Sequence, residues 1–444
     1  MEINDQFQEA LHRLNKTNKS LFITGNAGTG KSTFLTHFQK TTEKKVVVLA
    51  PTGVSALNVK GQTIHSFFGF PHDITPEKVR TEKASKTLLE ILKHLDVMVI
   101  DEVSMVRADL MDCIDEALRK FLNTPEPFGG VQMVFIGDLH QLPPVVAGDQ
   151  ERERFKTEYL SPYFFDAKVF ENSQFDFFEL QKIYRQKDKS FVHLLNKIRN
   201  NQISAWDLDI LNARVMADPQ AFHNTDHSYI TLTTTNKAAD EINRLRLERL
   251  PSWPEIYEAE FSGEFETRNH PTLKNLELKK GAQVMMLNND MAGRWVNGSI
   301  GKIIKVDFNP GTSEDILHIQ LEGESGQADT SSEDKIVHVE PHTWELHKYY
   351  WDADKNEMEV DTVGKFRQYP VRLAWAVTIH KSQGKTFDKV VVDIGKGAFA
   401  HGQVYVALSR CRSMDGLLLQ RPIQSRHIWS NRRIDAFHAR AERG

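Results

Sequence analysis

Residues 21–34 read Leu-Phe-Ile-Thr-Gly-Asn-Ala-Gly-Thr-Gly-Lys-Ser-Thr-Phe. They match the pattern G-x-x-x-x-G-K-[ST] at Gly25, Gly30, Lys31 and Ser32. Glycines let the backbone turn and aim successive N–H groups at phosphate oxygens. The lysine supplies charge for the β- and γ-phosphates, and the serine hydroxyl is a ligand for Mg²⁺. The stretch therefore predicts a buried strand, a phosphate-binding loop and a helix that together bind a nucleoside triphosphate.

Composition limits the class of protein. A chain of 444 residues suffices for roughly two to four domains. It has no apolar run of the roughly 20 residues that a bilayer span requires. The net charge of −4 excludes a uniformly basic coat, so any nucleic acid must bind in a local groove. Cys113 and Cys411 lack metal-type spacing, which predicts buried, reduced thiols in a cytoplasmic protein.

A second apolar run, residues 46–50, predicts another parallel strand and is followed by Thr52, Val54 and Ser55. Ligands of open α/β sheets lie beyond the carboxyl ends of the strands. Hydroxyl groups and free N–H groups at that edge suit a phosphodiester backbone. These three residues are therefore candidate contacts to a nucleic acid strand.

Two adjacent carboxylates, Asp101 and Glu102, follow the apolar run 97–100. Such a pair is common after strands, but downstream of a phosphate-binding loop it has a specific chemical use. We expect Asp101 to hold Mg²⁺ through water, together with Ser32, and Glu102 to position and polarise the attacking water.

The next predicted strand, residues 131–136, ends in Gly-Asp-Leu-His-Gln-Leu-Pro-Pro-Val. In this turn Gln141 is placed to sense the γ-phosphate. His140 and the rigid Pro144 are candidates to face a polymer strand.

Residues 62–76 predict an insertion loop that contains His65 and Phe68. A histidine among aromatic residues is more often part of a core than of a binding site. The alternative is a protruding loop that stacks on bases, and residues 68–72 are then the candidate wedge that splits a duplex.

The second half repeats the order strand, hydroxyl-rich turn and helix, with Thr234, Asn236 and Lys237 in the turn. We expect these residues to form a second backbone-binding site, because a stepping motor needs two equivalent grips. Short strands with Gly and Asn turns between residues 278 and 321 predict a small inserted β-barrel, which we take to be a structural module.

The motifs together carry a resemblance. The segments 25–32, 50–56, 100–105, 137–145, 177–186, 369–386 and 402–413 resemble, in this order, the motor of superfamily 1 helicases. The stretch from residue 113 to 132 resembles the signature segment of the petite-integration-frequency (PIF) family in group B of that superfamily, and we expect a bacterial member with a near-minimal core. Residues beyond Asp415 match no motif.

The resemblance implies an ATP- and Mg²⁺-dependent 5′→3′ DNA helicase. It implies that Arg185 and Arg410 reach the γ-phosphate from the opposite domain, with Lys31, Glu102 and Gln141 on the near side. It changes the interpretation of Gln8 from a surface glutamine to an adenine contact. The other implied nucleotide contacts are Ala27, Gly28, Thr29, Thr33 and Gly384, and the implied contacts to DNA phosphates are Thr378, His380 and Lys381.

The expected fold is α/β, with two tandem RecA-like parallel-sheet domains. The first domain covers residues 1–170, the second covers 171–270 and 360–444, and the barrel covers 271–359. The expected partners are single-stranded DNA and forks, with RNA–DNA hybrids and G-quadruplexes as further substrates, in DNA repair, replication or telomere maintenance. We expect a monomer that has no membrane segment. We expect it to act in the bacterial cytoplasm, at the nucleoid.

Two alternatives remain. A DNA-stimulated translocase that strips proteins from DNA would carry the same motifs. A P-loop ATPase or kinase unrelated to nucleic acid would show ATP hydrolysis indifferent to DNA, and it leaves the second-half motifs unexplained.

Overall fold

The computed structural model describes residues 4–146, 148–171, 173–186, 188–219, 222, 228–265, 267–322, 336–395, 397 and 400–441. Five sheets are present in this part of the chain, two of them parallel and three antiparallel. The fold class predicted from the sequence is confirmed.

The first sheet is parallel and has six strands in the order β3-β2-β4-β5-β1-β6. In chain order the strands are β1 (Leu21–Gly25), β2 (Val46–Ala50), β3 (Gln62–Thr63), β4 (Val97–Ile100), β5 (Gln132–Ile136) and β6 (Asp176–Leu180). Its central strands are apolar at nearly every position, because helices cover both faces of a parallel sheet.

Eight helices accompany the first sheet within the described residues. They are α1 (Asp5–Lys16), α2 (Lys31–Thr41), α3 (Gly53–Asn58), α4 (Ile64–Phe68), α5 (Pro76–Val79), α6 (Lys86–His94), α7 (Ala108–Leu122) and α8 (Gly148–Glu158). Alternate residues of β1 serve the two faces: Leu21 packs with Phe34 of α2, whereas Phe22 joins the core that contains Met111 of α7.

The second sheet is parallel and has four strands in the order β18-β7-β19-β20. Its strands are β7 (Ile230–Thr233), β18 (Ala376–Thr378), β19 (Val390–Asp393) and β20 (Leu417–Leu419). The associated helices are α9 (Lys189–Arg199), α10 (Ala205–Asn212), α11 (Asn236–Glu248) and α12 (Gln403–Ser409), and a further helix, α13 (Arg432–Ala441), follows β20.

The antiparallel strands lie between β7 and β18 in the chain. They are β8 (Glu255–Glu258), β9 (Glu260–Gly263), β10 (Asn275–Leu278), β11 (Gln283–Met286), β12 (Ile300–Asn309), β13 (Glu314–Leu321), β14 (Ile336–Val339), β15 (His342–Asp352), β16 (Glu357–Gln368) and β17 (Val371–Leu373). They form sheets of five, three and two strands. The five-stranded and two-stranded sheets share a core around Trp295 and Ile319, whereas the three-stranded sheet has a separate core around Trp344 and Phe366.

The long hairpin β15–β16 reaches back to the first sheet. The ring of Trp351 stacks on His94 of α6 with centroids 3.8 Å apart. The hydroxyl of Tyr349 accepts a hydrogen bond of 3.1 Å from the backbone N–H of Val48. The insert therefore contacts the first sheet as well as the second.

Three elements of the structure can be compared with the expected domain boundaries, which stay predictions. β6 pairs with β1, so the first sheet extends past residue 170. Antiparallel strands run from Glu255 to Leu373, so the insert is wider than 271–359. The expected loop 62–76 begins with a sheet-edge strand and the helix α4, which apolar burial holds in place.

Both cysteines, Cys113 and Cys411, are buried and free, as expected. In the described part of the chain, no helix combines the length and the apolar character of a membrane span.

Candidate active site

The phosphate-binding loop (residues 25–32) joins β1 to α2. Gly28 and Gly30 have φ angles of 87° and 88°, which residues with a Cβ atom rarely adopt. A Cβ on Gly25 would also overlap the carbonyl oxygen of Leu180, and one on Gly28 would overlap the side chain of Arg185. Glycine is therefore required here for conformation and for the close approach of neighbouring chain.

Lys31 begins α2 and turns back over the loop. Its ammonium group donates to the carbonyl oxygens of Gly25 at 2.7 Å and Asn26 at 3.1 Å. Burial lowers the pKa of the lysine, although the charges of Asp138 and Glu102 oppose that shift. A buried ammonium bound mainly to neutral carbonyl groups favours an anionic ligand.

The predicted carboxylate pair lies at the end of β4, where Glu102 adopts a left-handed φ of 50°. Burial and the neighbouring Glu102 raise the pKa of Asp101 to about 7. Burial also raises the pKa of Glu102, against the opposing charges of Lys31 and Arg410. Both carboxyl groups thus favour an additional cation nearby.

Gln141 is held by the buried Asp138, whose carboxylate accepts a 3.1 Å hydrogen bond from the glutamine amide. Burial opposes ionisation of Asp138, but the charges of Arg199 and Lys31 outweigh it and lower the pKa to about 2. Arg199 belongs to α9, beside the second sheet, and lies 3.3 Å from the Asp138 carboxylate. The arrangement ties Gln141 to a charged pair between the two sheets.

Two arginines face the loop from the opposite side. Burial lowers the pKa of Arg185 to about 10 and that of Arg410 to about 9. Arg410 donates from Nε to the carbonyl oxygen of Val406 at 3.0 Å, and Arg185 donates to that of Ser409 at 3.4 Å. Neither guanidinium has a carboxylate partner among the hydrogen bonds and ion pairs found in the described residues, so both remain available to phosphate oxygens.

These groups surround one cavity of about 570 Å³. Its lining consists of Ala27, Gly28, Gly30, Lys31, Ser32, Thr33, Glu102, Gln141, Tyr184, Arg185, Gly384, Thr386, Arg410 and Arg412. The structure thus brings the expected catalytic side chains together between the two parallel sheets. Asp101 and Thr29 are buried behind this surface.

The donor set fits a nucleoside triphosphate with Mg²⁺. Cations on both walls suit the phosphates, while the Ser32 hydroxyl and the Asp101 carboxylate supply the oxygen ligands that Mg²⁺ prefers. Among the described residues, no group of three or more His, Cys, Asp or Glu side chains is arranged to bind a metal ion. A magnesium ion here would share its coordination with phosphate oxygens, as is usual for this ion.

Gln8 does not line the cavity; it lies exposed on α1. Its neighbour Phe7 packs against Gly30 of the loop. Contact between Gln8 and adenine stays a prediction.

Sequence reasoning missed three contacts that cross from the loop side to the second sheet. The backbone N–H of Ala27 donates to the Tyr405 hydroxyl at 3.0 Å. The amide of Asn26 donates to the side-chain oxygen of Asn196 at 3.0 Å. Arg199 pairs with Asp138 as described above. Tyr405 lies within a quoted motif, but Asn196 and Arg199 carried no signal, because their helix reads as an ordinary amphipathic helix.

The candidate DNA contacts at the carboxyl ends of β2 and β7 are accessible. Thr52 caps α3 by accepting from the N–H of Ser55, and Val54 is exposed beside them. Thr235 caps α11 in the same way, next to Thr234 and the exposed Asn236 and Lys237. His380 and Lys381 follow β18, the neighbour of β7. Both turns therefore offer hydroxyl and N–H groups at one edge of their sheets.

Four other candidates are buried, and their contact with a DNA strand stays a prediction. Phe68 stacks on Phe70 with centroids 4.9 Å apart, inside the core of the first sheet. His140 is enclosed between elements of the two sheets, and Pro144 is buried nearby. Thr378 is buried too, and its hydroxyl accepts from the N–H of Lys381. His65 is half-buried, with its ring 5.5 Å from that of His72.

Comparison with known proteins identifies related chains. Residues 2–217 match a family model described as PIF1-like helicase. The ATP-dependent DNA helicase PIF1 of Emericella nidulans is 31% identical over 450 residues, covering 91% of this chain and 58% of that protein. The ATP-dependent DNA helicase Pif1 of Bdellovibrio bacteriovorus is 30% identical over 427 residues, covering 94% of this chain and 88% of that protein. The chain spans less than two thirds of the length of the fungal relative.

Solved structures show the same likeness. Unliganded Pif1 from a Bacteroides species superimposes with a TM-score of 0.87 at 34% identity, covering 100% of this chain and 97% of that one. Bacteroides Pif1 bound to single-stranded DNA gives a TM-score of 0.68 at 34% identity, covering 99% and 97%. Bacteroides Pif1 in complex with ADP-AlF4 also gives a TM-score of 0.87, so the arrangement described here is closer to the forms without DNA than to the DNA-bound one.

Proposed function

Because the chain belongs to the PIF1-like helicase family, we propose that it is an ATP-dependent DNA helicase. In this proposal it moves 5′→3′ along single-stranded DNA and opens the duplex ahead of it. The relatives' names supply the activity class, and the polarity comes from the motif resemblance.

The observation that carries the proposal is the charge distribution of the cavity. Lys31, Arg185 and Arg410 are cations whose pKa burial lowers, and Asp101 and Glu102 are carboxyl groups whose pKa burial raises. A triphosphate accompanied by Mg²⁺ supplies the missing charge to both sets at once.

In the catalytic step, Glu102 accepts a proton from the water that attacks the γ-phosphorus. Lys31 and Gln141 hold the transferring phosphoryl group from one side, and Arg185 and Arg410 stabilise its charge from the other. Mg²⁺, held by Ser32 and by Asp101 through water, would neutralise charge on the β- and γ-oxygens. Loss of the γ-phosphate removes the anion shared by the two sides, so the cleft relaxes open.

Movement along DNA follows from two grips on opposite sides of this cleft. Thr52 and Ser55 hold backbone phosphates on the first sheet, and Thr234, Asn236 and Lys381 hold them on the second. Closure brings the two grips together and opening separates them, so that alternate release advances the strand. Buried Thr378 supports this site by capping the turn that carries Lys381.

We propose that the two sheets are separate RecA-like motor domains. The first comprises residues up to about 180, and the second comprises about 189–248 and 374–428, with the antiparallel insert between its two parts. We further propose action as a monomer on tails and forks, with RNA–DNA hybrids and G-quadruplexes as additional substrates, in the bacterial cytoplasm at the nucleoid.

The test is ATP hydrolysis with and without single-stranded DNA, together with unwinding of duplexes that carry either a 5′ or a 3′ tail. Lys31→Ala serves as the inactive control. We expect strong stimulation by DNA and opening of the 5′-tailed duplex alone. Stimulation without unwinding would indicate a translocase, opening of only the 3′-tailed duplex would reverse the polarity, and hydrolysis indifferent to DNA would overturn the proposal.

A further inference from the structure

The helix α13 follows the second sheet in the chain but packs on the first. Ile434 is fully buried in the same core cluster as Phe22 of β1. The ring of Phe437 stacks on Phe165 with centroids 4.4 Å apart and an interplanar angle of 14°. Arg433 pairs with the carboxylate of Asp166 through two guanidinium nitrogens. The helix is therefore fixed to the first sheet by apolar and charged contacts.

One side chain of α13 reaches the catalytic region. The ring of His438 lies flat against that of His140, with centroids 5.1 Å apart and an interplanar angle of 21°. The ring of Phe177 in β6 is nearly perpendicular to that of His438, with centroids 5.5 Å apart. His438 thus touches the residue that directly precedes Gln141.

Residues 140 and 141 are also contacted by the chain that enters α12. Gly402 is the N-cap residue of α12 and has a left-handed φ of 72°, and a Cβ there would overlap the carbonyl oxygens of both His140 and Gln141. Arg410 directly follows that short helix. A displacement of α12 therefore presses on the backbone of His140 and Gln141.

A displacement that presses on residues 140–141 is transmitted to the nucleotide site only if neighbouring side chains prevent these residues from moving away. Side chains packed in a dense interior resist compression and pass strain onward. His438, in ring contact with both His140 and Phe177, is the side chain of α13 that supports this segment.

We propose that α13 acts as a backstop, by which we mean that it restrains residues 140–141 from moving away when α12 presses on them. His438 is then a positioning residue that maintains the placement of Gln141 relative to Arg410. The inference rests on the proposed function, because it concerns how the motion of one motor domain reaches the nucleotide on the other. His438 touches neither nucleotide nor DNA in this proposal and acts through His140 alone.

The test separates positioning from a purely stabilising role. His438→Leu keeps apolar volume and removes the flat ring, whereas His438→Phe keeps the ring. Arg440→Ala changes an exposed residue of the same helix and serves as the control. The measurements are kcat and KM for ATP at saturating single-stranded DNA, and the melting temperature of each variant.

We expect His438→Leu to lower the DNA-stimulated kcat about fivefold, with KM for ATP changed less than twofold. His438→Phe should recover at least half of the wild-type kcat, and Arg440→Ala should match wild type. If His438→Leu fails to fold, the comparison of His438→Phe with His438→Gln, which keeps polarity without a ring, takes its place.

Two results would overturn the backstop. One is an equal kcat for His438→Leu and His438→Phe. The other is a kcat that falls only in proportion to the melting temperature across His438→Leu, His438→Phe and Arg433→Ala, since that result would show a purely stabilising role. If the wild-type protein shows no stimulation by DNA, the proposed function itself fails. The two failures are thus distinguished by the wild-type measurement.

Discussion

The hydroxyl of Tyr405 accepts a 3.0 Å hydrogen bond from the backbone N–H of Ala27, so a side chain on α12 holds the phosphate-binding loop from across the cleft. The tyrosine is buried, and its pKa is raised to about 12 by burial and by Asp138. The hydroxyl therefore stays neutral and keeps this bond at any working pH. This bond links the loop to the helix that precedes Arg410.

Tyr405→Phe should weaken that link without disturbing the ring packing. Loss of one neutral hydrogen bond corresponds to about 1 kcal/mol, or about fivefold in a rate or equilibrium. We expect the DNA-stimulated ATPase rate to fall by this factor in steady-state assays. Tyr350→Phe, on the exposed hairpin, is the control and should match wild type. An unaltered rate in Tyr405→Phe would show that the bond plays no part in coupling.

Arg410→Ala should abolish most hydrolysis, because the guanidinium lines the cavity opposite Lys31. Removal of an arginine that stabilises a transferring phosphoryl group typically costs about 10³-fold or more in kcat. DNA binding, followed by fluorescence anisotropy, should remain. Arg421→Ala removes an exposed arginine of the same segment and should retain full activity. Hydrolysis in Arg410→Ala within tenfold of wild type would exclude this role.

Phe68→Ala should destabilise the protein before it affects unwinding. The ring is 6% exposed and packs against Phe67 and Phe70. Truncation of a buried phenylalanine costs about 3 to 5 kcal/mol of unfolding free energy, which urea denaturation would measure. Phe308→Ala, at a side chain 63% exposed, should change it by less than about 1 kcal/mol. A stable Phe68→Ala that hydrolyses ATP but unwinds poorly would restore the wedge hypothesis.

Acid should destabilise the junction between the sheets. Burial lowers the pKa of His140 to about 3 and that of His401 to about 4, well below the value of about 6.5 for an exposed histidine. Between about pH 6.5 and about pH 4, the unfolded chain takes up protons that the folded chain refuses, so the free energy of unfolding falls as pH falls.

Melting temperatures between pH 7.5 and 5 check this. The melting temperature of His401→Asn should fall less steeply with decreasing pH than that of wild type, because this variant lacks one of the side chains that bind a proton only in the unfolded state. His12→Asn, at an exposed position of α1, should follow the wild-type slope. Parallel slopes for all three proteins would remove His401 as a source of the acid sensitivity.

The first parallel sheet was predictable, because β1, β2, β4 and β5 are mainly apolar and each ends in a turn that carries the candidate site residues. The boundaries were less so. β6 carries phenylalanines and acidic residues in mixed order and is fixed at the sheet edge by its pairing with β1. The helix α13 mixes charged and apolar residues, and its apolar residues do not reveal which sheet they cover.

The side chains that line the nucleotide cavity were named from local motifs, since glycines, a lysine and a carboxylate pair must lie close together in sequence to build such a site. Burial was harder to foresee. A histidine at position 140 suits a strand-binding surface or a packed junction equally well, and only the positions of Gly402 and His438 decide between them. Asn196 and Arg199 matter because of what faces them, which no spacing encodes.

The packing of Ile434 and Phe437 against Phe22 has a consequence for biosynthesis. The ribosome synthesises the strands of the first sheet early. The helix α13, which covers part of their core, is synthesised only after the second sheet and the whole antiparallel insert. Domains usually fold as units while the chain emerges, N-terminal first. Here the aromatic side chains of the first unit stay uncovered on one side until residue 437 has left the exit tunnel.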